Sequence, residues 1–109
     1  MTTATKVLGQ SIPAAATATT LYTAPASTST VASSLVVCNQ SAVATSFRVA
    51  VRPAGAALAT LHYLFYDVAL PGNDTFIATI GVTLATTDVV TVYATLATVS
   101  FTLFGEETT

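Results

Sequence analysis

Hydrophobic and polar positions alternate with a period of two along most of this 109-residue chain, and clusters of Pro, Gly, Asn and Asp interrupt the alternation. That pattern predicts half-buried β-strands joined by turns. Thr5 to Gly9 reads as a short first strand, followed by a loop from Gln10 to Ala18 that contains Pro13 and a run of alanines. Alanine favours helix, but Pro13 and the threonines that follow limit any helix here to one turn. Thr19 to Thr23 is a second strand, ended by Ala24-Pro25-Ala26-Ser27. Thr30 to Asn39 comes next, with Val31, Leu35 and Val37 on one face, and Asn39-Gln40-Ser41 turns the chain. Ala44 to Arg52 alternates most cleanly: Phe47, Val49 and Val51 point one way, Arg48, Ala50 and Arg52 the other.

Leu61 to Ala69 is bulky on both sides, with Leu61, Tyr63 and Phe65 opposing His62, Leu64, Tyr66 and Val68. Such a strand is either central in a sandwich or covered on its outer face by a partner. Pro71-Gly72-Asn73-Asp74 is a turn, since Pro presets φ while Gly and Asn accept positive φ. Phe76 to Leu84 then points Phe76, Ala78, Ile80, Val82 and Leu84 inward. Thr86-Thr87-Asp88 turns into Val89 to Thr95, and Thr98 to Phe104 is the last strand before a polar tail, Gly105-Glu106-Glu107. Seven or eight short strands in this arrangement predict an all-β fold, an antiparallel β-sandwich formed as one domain over residues 1–109. With no Trp and a single Cys, the expectation is jelly-roll-like, with an immunoglobulin-like sandwich as the alternative. Residues 1–18 are either part of that sandwich or an extended arm that reaches a neighbour.

Charge changes the picture. Only 7% of residues are charged while 52% are hydrophobic, and the formal net charge is −2. An ordinary soluble domain is about a quarter charged. No segment supplies the ~20 consecutive apolar residues that a membrane helix needs. A surface so poor in charge is accounted for if neighbouring copies or a larger assembly cover much of it. Thr and Ala make up about two-fifths of the chain. Thr gives strands a polar face that can be desolvated without burying charge. The missing basic stripes argue against nucleic acid and against anionic lipid as partners. Met1 to Gln10 lacks the apolar stretch of a signal peptide, so synthesis in the cytoplasm is expected.

Candidate chemistry is sparse. Cys38 sits in an apolar run and reads as a small core residue without a nearby activating group. His62 lacks an orienting acid on its own face, so it reads as a structural or interface histidine rather than a general base. One His, one Cys and scattered acids make no metal-ligand spacing, and no cofactor or small-molecule substrate is implied. Asp67, Asp74 and Asp88 fall at predicted strand ends or turns, where Asp caps backbone N–H groups. Asn73-Asp74-Thr75 matches a glycosylation sequon, read here as coincidence. Arg48 and Arg52 share one face of one strand. They are either solvated, or they anchor the carboxylates of a neighbouring subunit. The candidate interface residues are therefore Arg48, Arg52 and His62, together with Tyr63 and Tyr66 of the bulky strand.

The runs Leu21-Tyr22-Thr23-Ala24-Pro25-Ala26 and Ser33-Ser34-Leu35-Val36-Val37-Cys38-Asn39-Gln40-Ser41 resemble a recurring group of small tailed-phage virion proteins. So do Phe47-Arg48-Val49-Ala50-Val51-Arg52-Pro53 and Asp88-Val89-Val90-Thr91-Val92-Tyr93-Ala94. The resemblance extends from about Gly9 to Phe104 and rests on strand and turn signatures, which carry no catalytic information. It implies a non-enzymatic structural protein of the virion, assembled in the host cytoplasm. In that group a capsid cement (decoration) protein, here expected as a homotrimer bound to the major capsid protein, is one role. A tail, baseplate or fibre module is the other. In a tail or fibre component the bulky Leu61 to Val68 strand would be an intersubunit core, or its Tyr63 and Tyr66 a glycan-stacking site.

Overall fold

Strands form where the period-two segments lie, and the largest differences in length are at the first and the last strand, which both extend beyond their hydrophobic pattern. The structure is a computed structural model that describes residues 2–109; Met1 lies outside the described residues. The strands are β1 (Thr3–Ser11), β2 (Thr19–Thr23), β3 (Ser29–Asn39), β4 (Thr45–Arg52), β5 (Tyr63–Leu70), β6 (Thr75–Leu84), β7 (Val89–Ala94) and β8 (Val99–Thr108). Two short 3-10 turns, Pro53–Gly55 and Thr60–His62, lie between β4 and β5.

All pairing is antiparallel, and it is nested: β1 pairs with β8, β2 with β7, β3 with β6 and β4 with β5. Two further ladders, β3 with β8 and β4 with β7, join these hairpin arms into sheets of order β1-β8-β3-β6 and β2-β7-β4-β5. A long hairpin rolled in this way is a jelly roll, the expected arrangement rather than the immunoglobulin-like alternative. The core lies between the sheets, where Leu35, Val37, Phe101 and Leu103 of the first face Phe47, Val49, Val90 and Val92 of the second. Phe47 is its centre, with ring centroids 5.2 Å from Phe76, 6.1 Å from Phe101 and 6.4 Å from Phe65. Each such fully buried side chain contributes roughly 1.5–3 kcal/mol of transfer free energy.

Several local expectations are corrected. Gly105, Glu106 and Glu107 are not a tail: β8 continues through them, paired with β1 on one side and β3 on the other. Val31 does not share the inward face of Leu35 and Val37. A bulge at Ser33 shifts the alternation, so Thr30 and Ala32 are buried and Val31 is exposed. Cys38 is half-buried on the outer side of the first sheet, paired with Ser100 and Thr75, and not in the core. His62 ends a 3-10 turn rather than lying within a strand. Residues 3–11, expected as strand or arm, make the β1 ladder within the chain, and Gly9 of β1 approaches β2 so closely that a Cβ there would overlap the Leu21 carbonyl oxygen.

One buried polar residue fastens the loops at one end of the sandwich. Asn39 is 1% exposed and fully paired: its Nδ2 donates to the Val43 and Pro71 carbonyls at 2.8 and 3.2 Å, and its Oδ1 accepts from Ser41 N–H at 3.1 Å and Thr98 Oγ1 at 3.2 Å. Asp88 does the same at another corner, accepting from Ala54 N–H at 2.8 Å and Ala85 N–H at 2.9 Å. These are turn-holding roles for short polar side chains, as the spacing predicts for Asp88.

Candidate interaction surfaces

Strand β5 is where local sequence and tertiary pairing diverge most. Its register against β4 slips twice, between Val49 and Ala50 and between Phe47 and Val49, so β5 carries an extra residue at each place. Each bulge inverts the side-chain alternation. Phe65, Val68 and Leu70 consequently pack inward, while Tyr63 and Tyr66 stand together near Arg48 instead of on opposite faces. Asp67, in the second bulge, has φ of 51°, a left-handed conformation that Asp tolerates better than most residues. It is therefore a bulge residue and not a turn cap.

The product is a compact cluster beside the outer face of the second sheet. Arg48 Nε donates to Asp67 Oδ1 at 2.6 Å and Nη2 donates to Oδ2 at 3.2 Å, a two-point pair. Hydrogen bonding to Asp67 holds the guanidinium above even its ordinary basicity. The guanidinium carbon lies 4.3 Å from the Tyr66 ring centroid, 4.5 Å from Tyr93 and 5.9 Å from Tyr63. Tyr63 and Tyr66 meet edge to face at 5.0 Å. Arg52, on the same face, donates to Thr91 Oγ1 at 3.1 Å and to the Ala56 carbonyl at 3.0 Å. His62 is 9% exposed and its Nδ1 accepts from Ala59 N–H at 3.0 Å. The five residues singled out in the sequence thus lie on β4, on β5 and in the turn just before it. Arg48, Tyr63 and Tyr66 come together, Arg52 is tied to its own chain, and His62 folds the loop. Tyr93 and the pairing role of Asp67 were missed. A chain with three Lys or Arg and five acids offers few possible ion pairs, and that scarcity was the available signal for Asp67.

The outer face of the first sheet is different in kind. Its cross-strand rows run Val7–Phe104–Ser34–Thr79 and Gln10–Thr102–Val36–Ile77, flanked by Ser100–Cys38–Thr75 and Thr5–Glu106–Val31–Thr83. Within these four rows the charged residue is Glu106, at one end. Val7, Val31 and Ile77 are exposed, and Val36 and Phe104 are half-buried. A shallow depression of ≈ 440 Å³ lies where Thr5, Val31, Ser33 and Phe104 meet, with Lys6 and Glu106 also lining it. The charges of this sheet gather instead at its end, where Lys6 Nζ lies 2.8 Å from Glu107 Oε1.

Among the described residues no three His, Cys, Asp or Glu side chains gather as a metal-ligand set. No helix among them is long and apolar enough to cross a membrane. No known protein family, characterised protein or solved structure was found to match the chain.

Proposed function

We propose that this chain is a non-enzymatic structural subunit of a tailed-phage particle. In this reading it is a capsid cement protein that self-associates and binds across the seams between major capsid subunits. The observation that carries the reading is the outer face of the first sheet, a four-stranded surface of Thr, Ser and apolar side chains with Glu106 at its end. Covering such a face desolvates almost no charge, and each Å² of apolar surface removed from water contributes roughly 25 cal/mol. The role is mechanical. A protein that binds the assembled lattice and not its separated parts stabilises the lattice by mass action, and many copies multiply a modest contact.

A second reading, a tail, baseplate or fibre module, is favoured by one observation. Tyr66 is 56% exposed beside Tyr63 and the Arg48–Asp67 pair, and exposed aromatic rings next to paired polar groups suit stacking on a sugar. Copy number in purified particles, measured by quantitative mass spectrometry against the major capsid protein, separates the readings. A ratio near unity, or a simple fraction repeated over the whole shell, is the outcome expected of cement. A handful of copies per particle assigns the chain to the tail, and absence from particles overturns both.

A further inference from the structure

An open sheet leaves edge N–H and C=O groups unpaired, and proteins blunt such edges with charges, prolines, bulges or short length. This sandwich has four edge strands, β1 and β6 in the first sheet and β2 and β5 in the second. β1 carries Lys6 and a bulge at Leu8. β2 is five residues long and bulged. β5 is bulged twice and contains Asp67. β6 is bulged at Ile80–Gly81, where two residues face Ser33, but from Thr75 to Thr79 it has none of these devices: the run is uncharged and free of proline, and its register with β3 is regular from Thr75–Cys38 to Thr79–Ser34. Among the described residues, no backbone–backbone hydrogen bond outside the β3 ladder reaches residues 75–84.

The two sides of the sandwich are also unequal. Gly9 against Leu21 closes the β1–β2 side. On the β5–β6 side the inward residues Phe65, Val68, Phe76, Ile80 and Val82 pack on the core yet stay only partly buried, and Ile77 on the outer face is 68% exposed.

We infer that β6 is an intermolecular strand, paired antiparallel with β6 of a second copy across a twofold axis, so that two four-stranded sheets become one of eight. A head-to-tail contact would set β6 against β1, β2 or β5, and each of those edges is blunted. Against itself β6 meets no such obstacle from Thr75 to Thr79. A twofold contact must be self-complementary, and an uncharged run opposes no like charges. Pairing centred on Ala78 places Ile77 opposite the partner's Thr79, which covers Ile77, and brings Phe76 beside the bulge that begins at the partner's Ile80. This twofold takes the place of the threefold implied by the resemblance. It does not depend on the particle reading, because the isolated chain should show it.

The test is sedimentation equilibrium of the purified full-length chain, with circular dichroism to confirm folding of each variant. The expected mass is twice the 11.1 kDa of the chain. Ile77→Lys and Thr79→Lys bring like charges together across the axis and should yield monomer. Val7→Lys, at the far edge of the same sheet face, should leave the dimer intact. Hydrogen exchange on the unmodified protein gives a readout that needs no variant: amides in Thr75 to Thr79 that point away from β3 should be protected at high concentration and lose protection on dilution. A wild-type monomer at every concentration overturns the inference. So does an assembly, dimeric or trimeric, that survives Ile77→Lys with unchanged β6 exchange. A dimer of a protein absent from particles would retain this inference while removing the particle reading.

Discussion

Tyr22 has one hydroxyl proton and two oxygen neighbours. It donates to Glu107 Oε2 at 2.5 Å, so Thr30 Oγ1, 2.8 Å away, must donate to the Tyr22 oxygen in turn. Hydrogen bonds from Lys6 and then Tyr22 hold the Glu107 carboxyl below its usual range. Burial, with the adjoining carboxylate, pushes the Tyr22 phenol up to about 12. Two limbs of pH-dependent stability follow. The contribution of Glu107 is present above its unfolded value, near ~4.3, and is lost as pH falls through the lower folded value. That of Tyr22 is present below about 10, its unfolded value, and is lost as pH rises through about 12. Urea unfolding across pH should show both limbs. Tyr22→Phe should remove the alkaline limb and cost about 1.5–3 kcal/mol at neutral pH, the scale of a hydrogen bond to a charged group. A variant as stable as the parent at pH 7 would contradict this account.

At the scale of the element, β5 shows what a local pattern can and cannot convey. The existence and approximate span of every strand were legible, because hydrophobic alternation and turn residues are encoded next to each other. The facing of side chains was legible in β4, and also in β6, where Phe76, Ile80, Val82 and Leu84 pack inward on both sides of its bulge. It failed at Ser33 in β3 and at Leu64 and Asp67 in β5, because a bulge is defined by the opposite strand and that strand is remote in sequence. For the same reason the candidate cluster was legible in part. Arg48, Tyr63 and Tyr66 were picked out singly, but the bulges that gather them were not foreseen. Glu106 and Glu107 read as a tail because their partners, Thr5 and Ala4, lie at the opposite end of the chain. Substitutions at Asp67 separate the backbone from the charge. Asp67→Asn keeps a side chain that tolerates positive φ and loses the ion pair, so it should lower the melting temperature modestly. Asp67→Val adds a β-branched residue at φ of 51° and should cost a further ~1–3 kcal/mol. Equal melting temperatures for the two variants would show that the bulge is not held in this conformation.

For the whole molecule, one aromatic cluster joins the two sheets. Phe47 of the second sheet meets Phe76 and Phe101 of the first, and it is fully buried. Phe47→Ala should cost about 3–5 kcal/mol. Against a total of about 5–15 kcal/mol for a native domain, that loss brings the fold near its threshold. Chemical denaturation measures it directly, and a loss below 1 kcal/mol would mean that the cluster does not hold the layers together. The nested order of pairing has a consequence in time. Only residues 53–62 need close to bring β4 and β5 together, whereas joining β1 to β8 first would confine nearly the entire chain in one loop. Assembly should therefore run from the middle outward, with substitutions in β4 and β5 slowing folding and substitutions in β1 chiefly hastening unfolding. On the ribosome no sheet can begin until β5 has emerged, more than halfway along the chain. The first strand made is among the last to be paired, and it waits in solution for β8.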